Sequence, residues 1–299
     1  FDDCVVNACQ FSCILHAKKF DSLDERAKLK GDVPVSPESK RWWPELLKTL
    51  AFRMTTGESL TEIQVAIERS DAESCLAEFL ESKGCDRPWD RAKAYVQDLL
   101  NHHLIQMGTG EQIEFRHQLI QEYYTAEALL EQLDSLSDDE LQRQYLNYLK
   151  WTEPIGILLS ISDEQQPLPY RLVELALTID LGLGVNLTGS LPLSLQKKIV
   201  STIGHKSLPI EFKILLWQYT NSKAAVPSLL KALEDSDYNV RSNAASALGQ
   251  IGSDAAIPKL LKVLEHSDSD VRSHAASALV QLGSDAEITG LLKALEHSY

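Results

Sequence analysis

One stretch of this chain restricts its fold more than any other. AVPSLLKALEDSDYNVRSNAASALGQIGSDA, Ala225 to Ala255, recurs directly as AIPKLLKVLEHSDSDVRSHAASALVQLGSDA, Ala256 to Ala286, with 22 of 31 positions identical. A third copy begins at Glu287 and stops at Tyr299. A fixed period in this range marks a solenoid, whose repeats bury their apolar faces against one another. Each repeat predicts two helices. The first carries Leu229, Leu230 and Leu233, and the second carries Val240, Ala244, Ala247 and Leu248. The small alanines let neighbouring helices approach closely, and the Gly-Ser-Asp turn opens the next repeat. The chain ends in mid-repeat without a polar cap and begins without Met, so we expect a piece of a longer chain.

Upstream, Phe115 to Leu130 (FRHQLIQEYYTAEALL) is the most informative segment. Phe115, Leu119, Tyr123, Ala126 and Leu130 recur at helical spacing, and Ile120 and Tyr124 widen that stripe. Before it, Leu104–Met107 and Gln112–Phe115 flank a Gly-Thr-Gly turn, the signal of a short hairpin. Glu45 to Asn101 reads as helical, with a segment opening at Ser59 or Thr61. Ser70 or Asp71 suits an N-cap, Gly84 a helix end and Pro88 a first turn. Several helices followed by a hairpin predict a winged helix. Gly31 to Pro44 holds three prolines and reads as a linker, docked by Trp42 and Trp43. Ser137 to Thr220 continues as helices near 138–150, 154–161, 168–182, 192–204 and 209–219.

The aromatic-x-His-x-x-x-Gln-Glu-aromatic pattern at Phe115 to Tyr123 resembles the end of the winged-helix domain in NACHT-type STAND signalling NTPases. The order FRHQLIQEYYTAEALL, then YLNYLKWTEPIGILL (Tyr145 to Leu159), then helical repeats, is similar to the cyanobacterial NACHT–HEAT branch over residues 42 to 299. The repeats resemble HEAT repeats of the kind associated with phycobilisome lyases, with Arg241 and Arg272 at the family's repeated arginine. The resemblance implies that this arginine pairs with acids of the adjacent repeat. The expected architecture is all-α: an N-terminal helical segment and linker (1–41), a winged-helix-like domain with a small β-hairpin (42–134), a degenerate helical array (135–220) and an α-solenoid of HEAT repeats (221–299). The resemblance also implies that His117 contacts the ADP β-phosphate in a closed state. A histidine capping or packing beside the wing is the structural alternative, and Gln121 and Glu122 read as structural.

The formal charge of −14 argues against a nucleic-acid partner, because such binding draws on clustered Lys and Arg. No run of about 18 apolar residues predicts a membrane span. Five cysteines without a secreted-framework spacing read as reduced thiols of a cytoplasmic protein. A phosphate loop needs Gly-x-x-x-x-Gly-Lys-Ser/Thr, and none of the fourteen glycines precedes a lysine. ATP or ADP and Mg²⁺ are therefore expected only with a module upstream of Phe1, and the chain itself is expected to be no enzyme. Cys4, Cys9, Cys13 and His16 fit a buried helix face better than a zinc site, which favours Cys-x₂₋₄-Cys pairs. Neighbouring His102 and His103 on a helix point apart. The acids Asp138, Asp139 and Glu140 read as a solvated first turn. Trp151 and Trp217 read as core.

Two readings result. In one, the chain is the sensor portion of a STAND NTPase, binding a protein partner through its HEAT surface and forming homo-oligomers on activation. In the other, it is a stand-alone scaffold, or a protein of the bilin-lyase kind that binds a phycobiliprotein. A Leu230→Asp or Leu261→Asp change is expected to loosen the solenoid.

Overall fold

The computed structural model describes residues 37–162, 168–266 and 269–282. The N-terminal helices and the Cys4, Cys9, Cys13 and His16 group expected from the sequence lie outside the described residues. The chain divides into two compact units, Phe1–Ser162 and Asp163–Tyr299.

In the first unit, Trp43, Leu46, Leu47, Leu50 and Met54 fall at helical spacing and are all buried to within 1%. They are one face of α1 (Pro37–Thr56). The linker expected through Pro44 is therefore helix from Pro37 onward. An interior proline costs about 3 kcal/mol, and Pro44 sits inside α1. Burying each large apolar side chain contributes about 1.5–3 kcal/mol, so five of them outweigh that cost.

The segment expected to be helical after Ser59 instead forms β1 (Ala66–Glu68), which leads into α2 (Arg69–Ser82) and α3 (Pro88–Asn101). The hairpin β2 (Ile105–Met107) and β3 (Gln112–Phe115) follows where the Gly-Thr-Gly turn placed it. The sheet is antiparallel in the order β1-β3-β2. Ile67 stands opposite Ile113, and Ile105 opposite Phe115. These cross-strand pairs seal one side of the core. Helix, strand, two helices and a hairpin in this order make a winged helix. The N-cap of α2 is Glu68, not Ser70 or Asp71; Gly84, at φ +71°, ends the helix as expected, and Pro88 opens α3.

Helix α4 (Gln118–Gln132) leaves the wing and packs on α1. Its buried face is turned from the expected one. Tyr124, Ala126, Ala128 and Leu129 are buried together with Gln121, Glu122 and Thr125, whereas Leu119, Tyr123 and Leu130 are only half-buried. The expected helix over 138–150 is broken. Ser137 and Glu140 form a reciprocal capping box, then the backbone widens into a π turn at Leu141–Leu146 and tightens at Leu149–Trp151. Trp151 is core, its ring 4.7 Å from Tyr145 and 5.7 Å from Phe52. Helix α5 (Thr152–Ile161) closes the unit.

The second unit is helical throughout its described residues. Asp180 divides the expected helix 168–182 into α6 (Leu168–Ile179) and α7 (Leu181–Thr188), because its Oδ1 accepts from the Gly182 and Leu183 amides at 2.6 and 3.2 Å. α8 (Leu193–His205) and α9 (Ile210–Tyr219) follow, joined by a Trp217 Nε1 donation to the Val200 carbonyl at 3.2 Å. The two complete repeats give α10 (Val226–Ala232) with α11 (Tyr238–Ile251), then α12 (Ile257–Val263) with α13 (Ser269–Gln281). Leu229, Leu233, Val240, Ala244, Ala247 and Leu248 are buried, as are Leu260, Leu264, Val271, Ala275, Ala278 and Leu279 in the next repeat. Leu230 and Leu261 are only half-buried. They lie beside the packed stripe, so Leu229 and Leu260 are the anchors.

Candidate functional site

His117 is set by the junction between the wing and α4. Strand β3 ends at Phe115, and His117 is the N-cap of α4 with extended backbone, φ −144° and ψ 137°. Its carbonyl accepts the Ile120 amide at 3.0 Å. Its side chain is exposed and takes no part in capping the helix. A fifteen-residue helix thus starts here without a side-chain acceptor on its first turn, so its amides and dipole favour an anion. The imidazole can add one hydrogen bond to such an anion.

The residues behind His117 turn inward. Gln121 Nε2 donates to the Gln64 carbonyl at 3.1 Å and to Thr55 Oγ1 at 3.4 Å, and Thr55 and Thr125 share a hydrogen bond of 2.9 Å. These polar groups are buried but satisfied, which is what allows them in a core. Gln118 Nε2 donates to Glu122 Oε1 at 2.8 Å. Burial raises the Glu122 pKa above the usual carboxylate range, and the charge of Glu153 pushes the same way. Lys150 is buried too, and its ammonium donates to the carbonyls of Thr56 and Ser59 at 2.7 and 2.6 Å. Desolvation lowers its pKa. Gln121 therefore holds α4 to α1 and to the segment before β1, whereas Glu122 is buried and bonded within α4 itself.

The histidine pair does not converge. His102 caps the end of α3 with its ring 5.2 Å from Trp43, and His103 has left-handed backbone, φ +57°. Among the described residues, no group of three or more His, Cys, Asp or Glu is arranged to hold a metal ion. None of their helices is long and apolar enough to cross a membrane. On α3 the exposed positions Trp89, Asp90, Lys93 and Gln97 mix acid, base and aromatic, with no basic stripe.

The second unit presents a different surface. A groove of about 430 Å³ runs between α9 and α11, lined by Phe212, Leu215, Gln218, Asn243 and Ser246 among others. Phe212, Leu215 and Tyr219 are 38%, 40% and 60% exposed. Along α11 the exposed side chains Asn243, Ser246 and Gln250 are uncharged. The sequence carries a signal for this groove that helical periodicity does not reveal: IEFKILLWQY places apolar residues on nearly every side, so a helix of that composition exposes apolar groups wherever it lies. The repeated arginine also takes a definite place. Arg241 Nη1 donates to the Asp235 and Ser236 carbonyls of its own loop, both at 2.8 Å, and Arg272 Nη1 donates to the His266 carbonyl at 2.8 Å. The contacts of Arg241 among the described residues are thus to carbonyls of its own repeat, and not to the acids of the adjacent repeat that the resemblance implies. A Lys259–Glu234 ion pair of 2.6 Å joins the two repeats.

Residues 216–299 match a family model described as HEAT repeats. Among curated proteins, none matches the chain. Helical repeats with buried leucine and alanine stripes and a family match over the same residues agree: the C-terminal part of this chain is a HEAT-repeat domain.

Proposed function

We propose that the chain is the regulatory and sensor portion of a STAND-type signalling NTPase, with the HEAT repeats as its protein-binding surface. The observation that carries this reading is His117: an exposed imidazole, uncommitted to helix capping, at the start of the helix that leaves a winged helix. It supplies one donor suited to a phosphate oxygen, beside helix amides of matching polarity. The chain has no Gly-Lys phosphate loop, so ADP or ATP and Mg²⁺ would be held mainly by an upstream module and this chain would not hydrolyse ATP alone. When bound, nucleotide supplies the phosphate whose presence distinguishes two states. The residues of this chain then act by position: His117 reads the phosphate, the buried Gln121–Thr55–Thr125 group holds α4 to α1, and α4 carries any displacement of the wing. A partner that prefers one arrangement of the repeats would bias the same equilibrium. The mixed charge of α3 supports a protein partner over a nucleic acid. Homo-oligomerisation on activation belongs to this reading.

The test is ADP affinity of the protein extended upstream along its reading frame, compared with its His117→Ala form. A hydrogen bond to a charged group contributes about 1.5–3 kcal/mol, so the substitution should weaken ADP about 10- to 100-fold. Unchanged affinity, or an upstream frame without a phosphate loop, would leave a nucleotide-independent scaffold.

A further inference from the structure

A cleft of about 430 Å³ opens on the first unit, with α1 as its floor and α2 and α4 as its walls. Phe52, Cys75 and Phe79 give it an apolar lining. Burial pushes the Cys75 thiol up to about 11, so it lines the cleft as a neutral S–H group.

The charged groups divide unequally. Lys48 is committed: its ammonium is paired with Glu45 at 2.6 Å and with Glu131. Arg53 and Lys83 line the same cleft, are exposed, and have no carboxylate partner among the described residues. The Lys83 ammonium lies 5.5 Å from the centroid of the Phe79 ring, which places a cation at the edge of the apolar lining. Glu45 and Glu131 line the cleft as well, so its five charged side chains leave one net positive charge, against the prevailing sign of a chain with 29 basic and 43 acidic residues. Small-molecule sites have this composition: a few hundred Å³, mostly apolar, with a few polar groups that fix orientation.

We infer that this cleft binds a small amphiphilic carboxylate, its hydrocarbon body against Phe52, Cys75 and Phe79 and its carboxylate between Arg53 and Lys83. Charge-assisted hydrogen bonds from guanidinium and ammonium hold the head, and the excluded apolar area holds the body. The site is independent of His117 and of any nucleotide.

The experiment is calorimetric titration of the whole chain with octanoate, and with octylamine as its charge-reversed counterpart. Octanoate should bind at one site, and octylamine should not compete for it. Arg53→Gln combined with Lys83→Gln should weaken octanoate about tenfold or more, the loss of at least one charge-assisted contact. Lys93→Gln, on the exposed face of α3, should leave it unchanged. Both cleft residues are exposed, so the double variant should keep the thermal unfolding of the parent. Equal binding of octanoate and octylamine, no saturation by octanoate, or full affinity in the double variant would each overturn the proposal.

Discussion

Leu229 and Leu230 are neighbours of identical chemistry whose environments differ, and that difference sets what each substitution costs. Leu229 is fully buried in the repeat stripe, whereas Leu230 is half-buried beside it. Leu229→Ala should cost about 2–5 kcal/mol, from lost transfer energy plus the cavity left behind. Leu230→Ala should cost less than half of that, and comparison of the two by urea unfolding checks the register of the repeat. Glu122 gives a second residue-scale test. Its folded pKa is raised by burial above its unfolded value, so the native state holds the proton more tightly. Stability is then full below the unfolded pKa near 4.5 and falls as pH rises through the folded pKa. Glu122→Gln should therefore raise the melting temperature at pH 7, and the gain should shrink as pH falls towards 4. A gain that persists undiminished at low pH would assign the effect to packing and not to charge.

At the scale of elements, Gly184 decides how α6 and α7 meet. A Cβ placed there would lie 2.5 Å from Leu177 Cγ and 2.8 Å from the Leu177 backbone nitrogen. Since a backbone atom cannot swing aside, Gly184→Ala should destabilise by about 1–3 kcal/mol, the range for overpacking, measurable as a drop in thermal midpoint. Nothing in LGLGVNLT announces this contact, because the neighbour that demands glycine is on another helix. The same limit explains the other departures. The strand at Ala66–Glu68 is three residues long with one buried side chain, Ile67, too short for alternation to show. Trp42–Pro44 read as a linker because proline is a local breaker, while the stripe that overrides it extends to Met54. The face of α4 departs from the expected stripe because Gln121 and Thr125 are buried polar groups whose partners, Gln64 and Thr55, are distant in sequence. By contrast, the hairpin was legible from its Gly-Thr-Gly turn, and the repeat helices from the register of 22 shared positions. For the proposed site, the sequence singles out His117, which stands exposed at the start of α4, and reads Gln121 and Glu122 as structural; both of these are buried. The proposed carboxylate cleft is not legible in the sequence, since Arg53 of α1 is brought beside Cys75 and Lys83 of α2 and its C-cap only by tertiary packing.

For the molecule as a whole, the two units rely on different kinds of cohesion. The winged-helix unit closes one core from pairs far apart in the chain, such as Ile67 with Ile113 and Thr55 with Thr125. The solenoid is built from contacts between successive helix pairs, with α11 on α13 and the Lys259–Glu234 pair between repeats. Because consecutive repeats share 22 of 31 residues, the surfaces they offer each other are nearly interchangeable. Duplicating one 31-residue copy in frame would then create no foreign junction: the new module would find on either side the neighbours it already fits. The tandem array can thus lengthen or shorten by whole modules, as a ruler gains or loses graduations, while each step keeps its pitch.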